Sequence, residues 1–182
     1  MRQKKLMLLG GIRYLLPVIE AAHEQGYYVI TADYLPDNIA HRYSDEYVNV
    51  SIIDKEAVLK VAREKEIDGI LSFGVEPGVV SASYVQTQMG IPSFGPFESV
   101  EILQNKDKFR TFLSENGFNV PWAFGFSSLE DALADTDKFS YPLIVKPTDS
   151  AGSKGVTRVD KEEDLKEALE YAFKHSIKGN II

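Results

Sequence analysis

The sequence contains 182 residues, of which 44% are hydrophobic and 26% are charged, and it has no cysteine. Its 20 Lys and Arg residues against 27 Asp and Glu residues give a formal net charge of −7, which argues against a broadly basic nucleic-acid-binding surface. The composition is typical of a folded chain, and the lack of cysteine excludes disulfides, cysteine nucleophiles and thiolate metal sites while fitting a cytoplasmic location.

Strand-like and helical patterns alternate over the first hundred residues. The apolar run Lys5–Leu9 predicts an opening strand, and Gly10, Gly11 and Arg13 interrupt it well before the length of a membrane span or a signal-peptide core. Further strands are predicted at 27–32, 47–51 and 67–73, and helices at 14–25, after a capping Asp54, and at 79–88. Because alternating strands and helices form parallel sheets, residues 1–96 are predicted to be a small Rossmann-like α/β domain.

The pattern changes after Pro96 to short helices and strands. Helices are predicted at 98–104 and 107–116, and a capping box of Ser127 and Glu130 predicts a third. Strands are predicted at 122–126, 141–146 and 156–159, the last two forming an antiparallel hairpin. Asp160 and Glu163 are expected to cap a final helix, and residues 180–182 to begin another strand. We therefore expect residues 97–182 to form a second, α+β domain that is truncated.

The stretch from Lys146 to Val156, KPTDSAGSKGV, is the most informative part of the sequence. A lysine at the end of a strand offers a point charge to a phosphate, and Gly152, Ser153 and Gly155 let backbone N–H groups approach an anion closely. A plain hairpin turn with a solvated lysine explains the same residues. A Walker-type phosphate loop is excluded, because the Gly-Lys-Ser/Thr order is missing and a strand follows the loop.

The order of the motifs in the chain resembles the ATP-grasp superfamily. PLIVKP at 142–147 with the following loop resembles its nucleotide-binding hairpin, NKDKFR at 105–110 resembles the helix that opens its ATP-grasp fold, and GFNVP at 117–121 matches its G-x-x-x-P step. The α/β segment before these motifs resembles the preATP-grasp domain. The arrangement is most similar to proteins resembling the carbamoyl-phosphate synthase large chain and to carboxylate–amine ligases.

This resemblance implies an ATP-dependent ligase that forms an acylphosphate from a carboxylate, which an amine then attacks. It implies that the ATP phosphates are contacted by residues of the hairpin and the first helix, namely Lys146, Lys108 (with Lys106 as the alternative), Gly152, Ser153 and Gly155. The family's magnesium ligands lie in a C-terminal lobe, so we expect them outside this chain, which would then be an inactive N-terminal fragment. No side chain has the setting of a nucleophile and no histidine has ligand spacing, so we assign no catalytic residue and no metal ligand here.

Two residues at predicted carboxyl ends of the first sheet, Gly11 and Glu76, are candidate contacts for the acceptor substrate, although a surface turn explains Glu76 equally well. Gly10 and Gly11 followed by Asp33 imitate a dinucleotide fingerprint, but the G-x-G-x-x-G spacing is missing, which leaves an NAD(P)-dependent oxidoreductase as a weak alternative. The other alternative is a non-catalytic module that binds a nucleotide or forms a homodimer.

Overall fold

The computed structural model describes residues 2–150 and 152–182, so Ala151 of the predicted loop lies outside the described residues. The chain divides into two compact units, Met1–Glu101 and Ile102–Ile182. The division falls five residues after the position predicted from sequence. The ring of Phe97 packs against Tyr84 at 5.2 Å between centroids, and the Lys55 ammonium lies over both rings, which holds residue 97 to the first unit.

The first unit contains a four-stranded parallel sheet, as the alternating pattern predicted. Its strands are β1 (Lys5–Leu9), β2 (Tyr28–Asp33), β3 (Glu46–Asn49) and β4 (Gly69–Leu71), in the order β3-β2-β1-β4. The central strand β1 pairs with β2 on one side and β4 on the other, so that Met7 lies between Ile30 and Ile70. The carboxyl ends of these strands therefore meet at one edge of the sheet.

Helices cover both faces of this sheet, which is why its strands are continuous apolar runs. Helix α1 (Leu16–Glu24) packs on the face that carries Leu8, and helices α2 (Lys55–Lys65) and α3 (Val79–Met89) pack on the face that carries Met7 and Leu9. The Asp54 carboxylate accepts a hydrogen bond from the backbone N–H of Ala57 at 3.0 Å and caps α2 as expected. Short 3-10 turns occupy Arg13–Leu15, Ile39–Arg42 and Glu76–Gly78.

The division between the two units falls within helix α4 (Phe97–Gln104), and the second unit contains α5 (Lys106–Glu115), α6 (Leu129–Ala134) and α7 (Leu165–His175). Strands β5 (Leu143–Val145) and β6 (Thr157–Val159) form the predicted antiparallel hairpin. Short 3-10 turns occupy Thr136–Lys138 and Glu162–Asp164. The core of this unit lies where the inner side chains of the hairpin pack against α6 and α7.

Three local predictions in this unit were wrong. The predicted strand at 122–126 is reduced to a single bridge between Phe126 and Ile181. Helix α6 is capped by Ser128 rather than Ser127, because the Ser128 hydroxyl accepts the Asp131 N–H at 3.1 Å. Asp160 does not cap the last helix, since its carboxylate is bound by the Arg158 guanidinium.

Candidate functional site

The candidate site of the second unit begins at the end of β5, which fixes the position of Lys146. Leu143 and Val145 point into the core, so Ile144 and Lys146 occupy the opposite face of the hairpin, where Ile144 is 49% exposed. The backbone of Lys146 is paired with Ile182 in both directions, at 2.9 and 2.8 Å. The sheet therefore aims the stem of this lysine, whereas Lys154 in the following loop is exposed.

Three positively charged side chains, Lys106, Arg110 and Lys146, form what we call the cation cluster. Burial lowers the pKa of Lys146, and the positive charges of Arg110 and Lys106 lower it further. Within residues 2–150 and 152–182, none of the three makes a salt bridge with a carboxylate. Positive charges that are partly buried and have no carboxylate partner are suited to binding an anion.

A cavity of about 480 Å³ opens beside this cluster. Arg110 and Lys146 provide charge at its wall, and the rest of the lining is largely apolar and aromatic, including Ile144, Trp122, Phe124, Phe126 and Phe139. Its volume lies within the range of small-molecule sites, which combine an apolar wall with a few placed polar groups. The arrangement can hold a molecule with a flat apolar part and an anionic part.

The loop that follows Lys146, residues 148–155, is named the Gly/Ser loop here. Gly152 and Ser153 have left-handed backbone angles, with φ of +65° and +58°, and both are exposed. Gly155 differs from them because it is buried, and an added Cβ would lie 2.7 Å from both His175 Cβ and Pro147 Cγ. Packing therefore requires glycine at 155, whereas at 152 the surroundings are open and only the backbone angle favours it.

Lys106, on helix α5, contacts the Gly/Ser loop. The Lys106 ammonium donates to the carbonyl oxygens of Ser150 at 2.8 Å and Thr148 at 3.3 Å. Asn105 caps the helix by accepting the N–H groups of Asp107 and Lys108, and it fixes where the helix begins. A step of about 100° per residue places Lys108 about 200° around the helix from Lys106, whereas Arg110 shares the face of Lys106.

The sequence interpretation missed Arg110 as a site residue, although a signal was present. Lys106 and Arg110 are four residues apart on a helix that carries the family-like motif, and this spacing places them on one face.

The candidate substrate residues of the first unit lie at the carboxyl edge of its sheet. Gly11 is buried, and a Cβ there would lie 2.5 Å from Asn38 Cβ and 2.6 Å from the His41 ring, so close packing requires the glycine. Glu76 is exposed in the 3-10 turn after β4. The Asp33 carboxylate accepts hydrogen bonds from Tyr34 N, Leu35 N and Asn38 Nδ2. Its oxygens are therefore engaged within the protein, whereas an NAD(P) site would need this carboxylate to accept the ribose hydroxyls.

The described residues contain no group of three or more histidine or acidic side chains that could hold a metal ion. We therefore assign no magnesium ligand among them. No helix in the described parts of the chain has the length and hydropathy needed to cross a bilayer.

Residues 113–180 match the family model described as the D-ala D-ala ligase C-terminus. The chain is 27% identical over 177 residues to the carbamoyl phosphate synthase large chain of Thermotoga petrophila, a match that covers 90% of this chain and 16% of that protein. The chain thus spans about a sixth of the length of such large chains.

Solved structures of ligases are similar to this protein over the whole chain. L-amino acid ligase from Bacillus licheniformis matches with 28% identity and a TM-score of 0.72, over 100% of this chain and 44% of that one. N5-carboxyaminoimidazole synthetase from Staphylococcus aureus, solved with ADP, matches with 16% identity and a TM-score of 0.70, over 100% of this chain and 47% of that one, and this likeness shows the fold alone.

Proposed function

Because the chain belongs to the ATP-grasp superfamily, we propose that it is the N-terminal portion of an ATP-dependent carboxylate–amine or carbamoyl-phosphate synthase-like ligase and that its second unit binds ATP. In the proposed reaction, a carboxylate oxygen attacks the γ-phosphorus of ATP and ADP leaves. The nitrogen of an amine then attacks the acylphosphate carbon, inorganic phosphate leaves, and the amine gives up a proton. The absence of cysteine agrees with a reducing cytoplasm, where we place the protein.

The cation cluster beside an apolar cavity is the observation that carries this proposal. ATP has a flat, largely apolar base and a strongly anionic chain, and the cavity joins an aromatic wall to Lys146 and Arg110. We assign the phosphates to Lys146, Lys106 and the backbone of Gly152, Ser153 and Gly155, and we keep Lys108 as the alternative to Lys106. Binding an anion would also offset the burial and the neighbouring positive charges that lower the pKa of Lys146.

In this proposal the chain's own residues bind and orient, and none of them is covalently modified. Phosphoryl transfer needs positioning and charge stabilisation far more than a protein nucleophile, so the lack of a nucleophile candidate agrees with it. Gly11 and Glu76 stay our candidates for contact with the acceptor substrate. We expect the 182-residue chain alone not to turn over ATP, because its described residues contain no group of three or more histidine or acidic side chains that could hold a metal ion.

Different observations bear on the two alternatives, an NAD(P)-dependent oxidoreductase and a non-catalytic module. An NAD(P) site is disfavoured, because Asp33 is already bound by three donors and the space beside Gly11 is filled by Asn38 and His41. A non-catalytic nucleotide-binding or dimerising module would share the cation cluster, so it differs from a ligase only in turnover.

Calorimetric titration of the 182-residue chain with ATP, NADH, AMP and tripolyphosphate tests the binding part of the proposal. We expect ATP and tripolyphosphate to bind at least about tenfold more tightly than AMP, because more phosphate oxygens reach the cations. NADH binding tighter than ATP binding would overturn the proposal.

Phosphate release by the complete gene product, with ATP, magnesium and panels of carboxylates and amines, tests the ligase part. We expect release to depend on both an acid and an amine. Magnesium-dependent ATP hydrolysis by the 182-residue chain, abolished by Lys146→Met, would show instead that the chain is catalytically complete.

A further inference from the structure

Asp149 lies within the Gly/Ser loop, where a carboxylate is unexpected, since a negative charge would repel a phosphate. Its two oxygens are instead bound by three donors from the turn after helix α7. Oδ1 accepts the Ser176 hydroxyl at 3.0 Å and the Ile177 N–H at 3.1 Å, and Oδ2 accepts the Lys178 N–H at 2.8 Å. The charge of Asp149 is therefore used within the protein.

We propose that Asp149 is a positioning residue, whose carboxylate fixes the base of the Gly/Ser loop to residues 176–178 so that the loop backbone is placed to receive the terminal phosphates of ATP. The inference rests on the proposed function, since it needs an anion at this loop. It assigns to Asp149 no contact with the ligand.

The residues on either side of Asp149 are fixed by a different partner. The carbonyl oxygens of Thr148 and Ser150 accept hydrogen bonds from the Lys106 ammonium, and the Lys106 backbone N–H also donates to Thr148 at 3.1 Å. Lys106 thus holds the main chain of the loop base while Asp149 holds it through a side chain. Two independent attachments at three consecutive residues define the direction in which the loop leaves β5.

The turn that receives Asp149 is itself closed by hydrogen bonds. The Ser176 hydroxyl, which donates to Asp149, also accepts the Asn180 N–H at 2.9 Å, and the Asn180 carbonyl accepts the N–H and the hydroxyl of Thr148 at 3.0 and 3.3 Å. The path from Thr148 through Asn180, Ser176 and Asp149 is a closed ring. Loss of one member is expected to weaken the others, because such networks are cooperative.

The test compares Asp149→Asn, Ser176→Ala and the double variant in the 182-residue chain. Asparagine keeps the size of Asp149 and can still accept the Ser176 and Ile177 donors, but its amide N–H₂ would face the Lys178 N–H. Asp160→Asn is the matched control, because Asp160 is exposed and contacts Arg158 outside this ring. Each variant is titrated calorimetrically with ATP, tripolyphosphate and AMP, and its fold is checked by circular dichroism.

We expect Asp149→Asn to bind ATP and tripolyphosphate about tenfold more weakly and AMP within about twofold of the parent, because AMP lacks the terminal phosphates. Ser176→Ala should give the same ligand pattern with about a threefold loss, and it decides the question if Asp149→Asn does not fold. The double variant should be no weaker than Asp149→Asn, since both changes break one ring.

Equal losses for AMP and ATP would overturn the positioning role, because they indicate general damage to the unit. ATP affinity unchanged in Asp149→Asn, in a parent that binds ATP, would overturn it while leaving the proposed function intact. A parent that binds neither ATP nor tripolyphosphate would overturn the proposed function and the positioning role together.

Discussion

Replacing Lys146 by methionine should change nucleotide affinity and stability in opposite directions. Methionine keeps the apolar stem beside Ile144 and removes only the charge. The charge is needed to bind phosphate, yet in the ligand-free protein it is partly desolvated and lies near Arg110 and Lys106. The same substitution should therefore weaken ATP binding and stabilise the fold.

The binding loss can be estimated from the setting of the lysine. Removing a charge that contacts an oppositely charged group in a partly dry site costs about 2–5 kcal/mol, and because Lys146 is only partly buried we take the lower limit. About 2 kcal/mol corresponds to about a thirtyfold weaker affinity for ATP. Lys154→Met is the matched control, since exposed charges contribute about 0–1 kcal/mol and the loss should stay below about fivefold.

The stability gain follows from the direction of the pKa shift. A lysine whose folded pKa lies below the usual 10.5 is less favourable when charged in the folded state, so its charge lowers the free energy of unfolding at neutral pH. Relief of this penalty should contribute about 0.5 kcal/mol, or about 2–4 °C in the melting temperature of a unit of this size. The gain should shrink as the pH rises toward 10.5, because the wild-type lysine then loses its proton.

Thermal melts from pH 7 to pH 10 and calorimetric titration with ATP measure both effects on the same preparations. A Lys146→Met variant that melts below the parent would show that the ammonium is paired in solution, and the reasoning from the cation cluster would fail. Equal ATP losses in the Lys146 and Lys154 variants would show that the phosphate lysine has been misplaced.

Three further outcomes are expected. Lys106→Met should weaken ATP binding at least about tenfold in titrations and Lys108→Met less than about threefold, because Lys106 shares the helix face of Arg110. A larger loss of affinity in Lys108→Met than in Lys106→Met would show that Lys108 is the lysine that contacts the phosphates. Gly155→Ala should lower the unfolding free energy by about 2–4 kcal/mol through its clash and positive φ, and Gly152→Ala by about 1 kcal/mol, as measured in urea melts. Asp68→Asn should destabilise the first unit at pH 7 by about 1 kcal/mol, because the Lys5 N–H and Arg2 lower the pKa of this carboxyl. As the pH falls below 3.8, the wild-type carboxylate gains a proton and its contribution to the free energy of unfolding is lost, whereas the stability of the variant should not change through this group.

The parallel sheet could be predicted because its signal is repeated along the chain. Each strand is an apolar run followed by a helical pattern, and several independent repeats point to the same architecture. The 122–126 segment shows where this reasoning fails. Its alternating aromatic residues match a strand, but only Phe126 finds a partner, since pairing depends on Ile181 more than fifty residues away.

The candidate site could be predicted in part for the same reason. Lys146 follows directly from a buried run and a loop of small residues, both of which are local. The contacts of Asp149 are not local, because its partners lie 27–29 residues along the chain, so no spacing rule could have revealed them. The need for glycine at position 155 could not be predicted from local sequence either, since the atoms that exclude a side chain there belong to His175 and Pro147.

Several features that lower stability occur together in the second unit. Lys146 is charged where burial and like charges oppose it, Ser153 adopts a left-handed backbone angle, and the single tryptophan, Trp122, is 91% exposed at the cavity wall. The inner face of the same hairpin shows none of this strain, since Val145 and Val159 are buried against α7. A partly desolvated charge and an uncovered aromatic ring are expected where a ligand binds. The charge of Lys146 and the exposed ring of Trp122 both lie at the wall of one cavity, which supports a binding site there independently of the comparisons.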